Sequence, residues 1–224
     1  MKMKIGESYD SFRKLRENGS YYIDKTSMLK EYLEDKFKSS VLFTRPRRFG
    51  KTLTMTMFRD FLDIRQDSTD LFAGLEIMDY PEVVENYMNQ YPVVFLSLKE
   101  VYGRSFESIF RNFQIAISTI CDSNAYLLDS DQISSIHKEF FVKLQRKESG
   151  EEDTIQAVAF LCQMLFAHYH KPVFIIIDEY DVLVREQVSD ALFTRYLSFL
   201  NGLFKSDTLR PAISLAYLTG ILPV

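Results

Sequence analysis

No stretch of the 224-residue chain approaches the roughly 20 consecutive apolar residues that a membrane helix needs. The opening MKMKIGESYDSF has no apolar core of the kind that a secretory signal requires. These absences argue against membrane-spanning and exported classes and make the cytoplasm the expected location. Cysteine is scarce. Cys121 and Cys162 stand far apart in apolar, helix-like surroundings, so both read as buried thiols rather than a disulfide framework, in keeping with a reducing compartment. Histidine is scarce too. His168 and His170 share a His-x-His spacing, but no nearby Cys or third His joins them, so they read as a frayed helix end rather than a metal centre. The lone His137 reads as a surface residue. There is no catalytic Ser/His/Asp grouping, no internal repeat and no low-complexity segment. What is present is 46 % hydrophobic and 26 % charged residues, the balance of a globular chain long enough for one large domain or two small ones.

The net charge of -4 conceals an asymmetry. Residues 1–51 carry 13 Lys and Arg against 7 Asp and Glu, whereas the remainder carries 14 against 24. The basic part ends in Arg45, Arg47, Arg48 and Lys51, a cluster suited to a polyphosphate or a nucleic-acid backbone. The other N-terminal lysines read as an ordinary solvated face.

Hydrophobic patterning gives an alternation of strands and helices. Residues 6–23 read as an irregular lead-in. YYIDKTSMLKEYLEDK then offers Asp24 and Thr26 as N-caps before the helix-spaced Met28, Leu29, Tyr32 and Leu33. SSVLFTR (39–45) reads as a buried strand, LTMTMFRDFLDI (53–64) as a helix, and YPVVFLSL (91–98) as a second strand. Helical patterns follow over about 105–121, 131–147 and 154–170, with Phe106, Phe110, Phe113, Phe140 and Phe141 as core stripes. KPVFIIIDEYD (171–181) is a third strand, ending in acids. A helix behind Ser189 as N-cap and a fourth strand, AISLAYLTG (212–220), complete the pattern. The expected fold is α/β, a mostly parallel sheet flanked by helices with inserted helices between the second and third strands, which the loop at 42–52 makes a P-loop NTPase.

Within this frame, LFTRPRRFGKT (42–52) lies between a strand and a helix, the context that a phosphate-binding loop requires. Gly50 lets backbone amides approach a phosphate, Lys51 supplies a cation, Thr52 supplies a hydroxyl for Mg²⁺, and the helix N-terminus adds a favourable dipole. The usual spacing puts a glycine where this chain has Arg45. Arg tolerates that place if its φ stays negative, and Pro46 favours an extended residue before it. Asp178, ending the most apolar strand, is placed to reach Mg²⁺. Glu179 next to it is placed to polarise a water for attack on a γ-phosphate. Asp181 reads as a loop acid or a helper. Thr219 ends the fourth strand. In P-loop ATPases with an extra strand between the two strands that carry these motifs, a polar residue stands there near the γ-phosphate, although an ordinary strand-terminal Thr fits as well.

YYIDKTSMLKEYLE, LFTRPRRFGKT, PVVFLSL, FIIIDEYD and AYLTGILPV, in this order, resemble the AAA-ATPase-like family, from about Ile5 to the end of the chain. These are bacterial and archaeal proteins whose N-terminal P-loop domain is commonly followed by a PD-(D/E)XK nuclease-like domain. The resemblance implies that Lys51, Thr52, Asp178 and Glu179 are the Walker residues, within a phosphate loop formed by Arg45, Pro46, Arg47, Arg48, Phe49 and Gly50. It also implies a nuclease-like partner domain outside this chain. Val182-Leu183 replace the Lys-Pro that often follows Glu-Tyr-Asp in the family. The expected organisation is a lead-in over 1–39 and a nucleotide-binding core over 40–224, as the N-terminal portion of a longer protein.

The resulting expectation is a regulatory domain that binds ATP with Mg²⁺ and hydrolyses it slowly, with Glu179, Lys51 and Thr219 in the reaction. Two rivals stand beside it. One is a degenerate P-loop scaffold without turnover. The other is a nucleic-acid-binding module that uses the basic N-terminal part. A small-molecule kinase fits less well, because Glu beside the Walker Asp suits water activation.

Overall fold

The most apolar strand lies buried inside a parallel sheet, with helices on both faces. A computed structural model describes residues 9–34, 40–44, 49–182, 188–204 and 213–220. The strands are β1 (Ser40–Thr44), β2 (Val93–Ser97), β3 (Val173–Asp178) and β4 (Ile213–Gly220). They are all parallel and stand in the order β1-β4-β3-β2. The last strand in sequence therefore fills the gap between the first and the third, where the sequence analysis puts it.

Six consecutive apolar or acidic residues in β3 are all buried, which explains the missing alternation: both faces are covered. Val173, Ile175 and Ile177 join a core with α6 (Phe106–Ser123) and α9 (Ala157–Tyr169). Phe174 and Ile176 join a separate core with α1 (Phe12–Glu17), α2 (Ser27–Leu33) and α3 (Lys51–Leu62). Helix α3 buries Met55, Phe58 and Leu62 at the spacing of one helix face, with Met57 and Phe61 beside them. Between β2 and β3 lie α6, α7 (Ser135–Gln145), α8 (Glu151–Ile155) and α9, the expected insertion. Phe106, Phe110 and Phe113 pack on Phe199 of α10 (Asp190–Phe204). Ser189 caps α10 by accepting from the Leu192 amide at 3.4 Å.

Several expectations need correction. The lead-in over 6–23 contains α1, whose Ser11 hydroxyl accepts from the Lys14 amide. With six residues, α1 is too short to show a helical period. Thr26 holds the N-cap position of α2 but makes no side-chain cap bond. Its hydroxyl instead accepts from the Ile77 amide at 3.1 Å. The region between α3 and β2 carries α4 (Thr69–Phe72), a 3-10 turn (Glu76–Asp79) and α5 (Pro81–Tyr87). His168 is not frayed: its Nδ1 meets the Ser130 hydroxyl at 2.8 Å, and His170 ends α9 in a left-handed conformation with its amide bonded to Phe166. His137 is half-buried against Phe160. Both cysteines are buried, and burial pushes the Cys121 thiol up to about 12.

Asp24 is the clamp of this layer. Its carboxylate accepts from the Thr26 amide (2.8 Å), the Thr26 hydroxyl (2.7 Å) and the Glu76 amide (2.8 Å). Burial opposes its charge, but these donors overcome that and hold its carboxyl below the usual range. A lowered folded pKa contributes stability that is fully present above the unfolded value and is lost as pH falls through the folded one. Asp24→Ala is expected to cost about 1–2 kcal/mol at neutral pH. The gap between variant and wild type should close on acidification, as read by urea melts from neutral pH down to pH 3. A gap that stays constant with pH would contradict the charged clamp.

Candidate functional site

The carboxyl ends of the strands meet the start of α3. Gly50 is the N-cap of α3 with φ 74°. A Cβ built there meets nothing within 4 Å, so backbone conformation rather than space calls for glycine. The Gly50 carbonyl accepts both the Thr54 amide (2.9 Å) and the Thr54 hydroxyl (3.0 Å), which fixes the first helical turn. Lys51 and Thr52 are the first two helical residues.

Packing of α3 on the Phe174 and Ile176 face brings Thr52 to the end of β3. The Thr52 hydroxyl donates to Asp178 Oδ2 at 2.8 Å, across 126 positions of sequence. Asp178 is 1 % exposed, so this bond joins the first turn of α3 to a buried carboxylate at the end of β3. Along β3, Asp178 follows Phe174 and Ile176 at two-residue steps, and the pleat therefore sends it toward α3. Ser97 of β2 is the register partner of Asp178, at the same sheet edge and exposed. The sequence analysis did not single it out. Thr219 lies one step beyond the Ile177–Leu218 pair and opposite Phe43 of β1. Its backbone is thus level with Asp178, on the strand between β1 and β3.

Glu179 is half-buried and has φ 56°. A non-glycine residue in that left-handed region costs roughly 1–2 kcal/mol. The surrounding turn holds it there. The Asp178 carbonyl accepts the Leu98 amide (2.9 Å), the Glu179 carbonyl accepts the Val182 amide (3.2 Å), and the buried Tyr196 hydroxyl of α10 donates to the Tyr180 carbonyl at 2.9 Å. Tyr196 escaped the sequence analysis, because nothing local links it to a turn sixteen residues earlier. Asp181 is buried at 3 % exposure, beneath the turn.

Phe49, directly before Gly50, is 61 % exposed. Arg45, Pro46, Arg47 and Arg48 lie outside the described residues. The structure thus brings together Gly50, Lys51, Thr52, Asp178 and Glu179, with Thr219 placed by strand register.

The family model described as a predicted AAA-ATPase, AAA-ATPase-like, matches residues 6–224. The chain belongs to the AAA-ATPase-like family. That membership supports a nucleotide-binding role for this chain, with ATP as the nucleotide that the family description names. No curated protein and no solved structure gives a significant match.

The donor set suits a hard cation. Mg²⁺ prefers oxygen ligands and is commonly held by one or two protein oxygens together with phosphates and water. Thr52 and the buried Asp178 carboxylate provide such oxygens 2.8 Å apart. Among the described residues there is no group of three or more His, Cys, Asp or Glu side chains able to hold a metal alone. No helix among them is long and apolar enough to cross a membrane.

Proposed function

We propose that this AAA-ATPase-like chain is a P-loop domain that binds ATP with Mg²⁺ at the β1–α3 junction and hydrolyses it slowly. The observation that carries this reading is the Thr52–Asp178 hydrogen bond at the carboxyl edge of a β1-β4-β3-β2 sheet. The opening of α3 presents a positive dipole end to phosphate. Lys51 balances the charge of the β- and γ-phosphates. Thr52 and Asp178 would hold Mg²⁺, which would neutralise phosphate charge. Glu179 accepts a proton from the attacking water. Thr219 contacts the γ-phosphate from the neighbouring strand.

Calorimetric titration of the chain with ATP and ADP, with and without Mg²⁺, tests this. Mg²⁺ is expected to strengthen ATP binding in the wild type. Thr52→Ala should lose most of that strengthening while keeping Mg²⁺-free binding. Equal dependence on Mg²⁺ in both proteins would remove Thr52 from the cation site. Tight Mg²⁺-ATP binding with no phosphate release would make the chain a nucleotide-sensing scaffold. Under this proposal the domain serves as the regulatory half of a larger protein that includes a nuclease-like domain. Support for that part is the family resemblance.

A further inference from the structure

Among the described residues, seven large hydrophobic side chains are exposed. Three of them, Tyr21 (54 %), Ile23 (63 %) and Phe49 (61 %), border one cavity of about 390 Å³. Leu15 and Leu53 add apolar walls, and Lys25 adds a cation. Exposed apolar surface concentrated at a concave place marks a binding site more often than a random surface does. The volume lies in the range of small-molecule sites.

Two segments face each other across this cavity. One is Tyr21–Lys25, ahead of α2. The other runs from Phe49 into the first turn of α3, and Gly50 lies on the cavity wall. The first segment is firmly held. Its side chains divide, with the exposed Tyr21, Ile23 and Lys25 alternating with anchoring residues. Tyr22 places its ring edge-on to Phe12 and donates its hydroxyl to Met57 Sδ at 3.3 Å. Asp24 and Thr26 tie the segment to the Glu76 and Ile77 amides. These bonds account for the Tyr-Ile-Asp-Lys-Thr motif as a scaffold, and they leave Tyr21 and Ile23 with exposed apolar surface on a rigid support.

We infer that this cavity receives the base of the bound nucleotide, which stacks on Tyr21 and Phe49 and packs against Ile23. The inference rests on the proposal that the phosphates sit at Gly50 to Thr52. A ligand whose phosphates meet the start of α3 has Gly50 in common with the cavity, so its other end extends past Phe49 toward Tyr21. A flat, largely apolar ring system fits such walls. Base stacking on aromatic side chains also explains why Tyr21 and Phe49 are exposed and not buried, with Ile23 adding apolar contact at the edge of the same cavity.

The test compares Mg²⁺-ATP with Mg²⁺-tripolyphosphate, which lacks base and ribose, on the whole chain. Wild type is expected to bind ATP more tightly than tripolyphosphate. Tyr21→Ala should weaken ATP by about tenfold, Ile23→Ala should weaken it by less, and both should leave tripolyphosphate affinity unchanged. Tyr21→Phe should retain ATP affinity, because it keeps the stacking face. Unchanged thermal melting of the variants would show that the substitutions leave folding undisturbed. Equal wild-type affinity for ATP and tripolyphosphate would overturn the base pocket while preserving the phosphate site. So would ATP binding that neither alanine variant weakens. Failure of the wild type to bind either ligand would overturn the phosphate site, and the base pocket with it.

Discussion

Lys51→Ala is expected to remove most ATP affinity and to leave the fold in place. The expected loss is about a hundredfold in affinity, the upper end of what a hydrogen-bonded charge contributes. Lys51 is half-buried at the first position of α3 and belongs to neither hydrophobic core. Truncating it therefore takes away charge without opening a cavity. Alanine is also a good helix former, so α3 keeps its start. Calorimetry reads the affinity and circular dichroism melting reads the fold. A variant that binds ATP as tightly as wild type would show that Lys51 does not meet the phosphates.

Glu179→Gln is expected to keep ATP binding and to lower turnover by about a hundredfold or more, the usual contribution of a positioned base. The amide keeps the shape of the side chain but cannot accept the proton. Backbone strain allows a second variant to separate chemistry from structure. Glu179 sits at φ 56°, where glycine carries no Cβ penalty. Glu179→Gly should therefore match or exceed wild-type stability, by up to about 1 kcal/mol, while losing turnover to the same extent. Phosphate release and urea melts measure the two effects. If both variants hydrolyse ATP at the wild-type rate, the base is elsewhere, with Asp181 next in line.

Much of the sheet was legible because its signals are local. VFIIID announces a strand covered on both faces, and its acid ends at the sheet edge where Asp178 is found. The Gly50-Lys51-Thr52 junction was legible for the same reason, since a strand before and a helix after bracket it, although the helix begins at Lys51 and not at Leu53. The position of β4 between β1 and β3 followed from the class of fold and not from any residue in β4. Features built by distant residues left no such trace. The bond from Asp24 to the Glu76 amide spans 52 positions, and neither residue advertises the other. The left-handed Glu179 occupies a conformation that its side chain does not favour, so propensity argues against what the Leu98, Val182 and Tyr196 bonds enforce. Tyr21 and Ile23 read as part of an irregular lead-in because exposed apolar residues in a loop have no period. Their meaning appears only when Phe49 stands opposite.

The central place of β4 bears on how this chain reaches its native state. Until Ile213–Gly220 has been synthesised, β1 and β3 have no strand to join them, and β3 exposes one hydrogen-bonding edge. The early segments can condense around the α3 core, but the sheet closes only when the last strand inserts between two others. That insertion pairs residues such as Ser40 and Ala216, a separation that makes folding slow. A chain cut before Ile213 should therefore accumulate as a species with sticky strand edges rather than as a smaller soluble domain. Pulse-labelled hydrogen exchange during refolding should find amides of β1 protected only when those of β4 are.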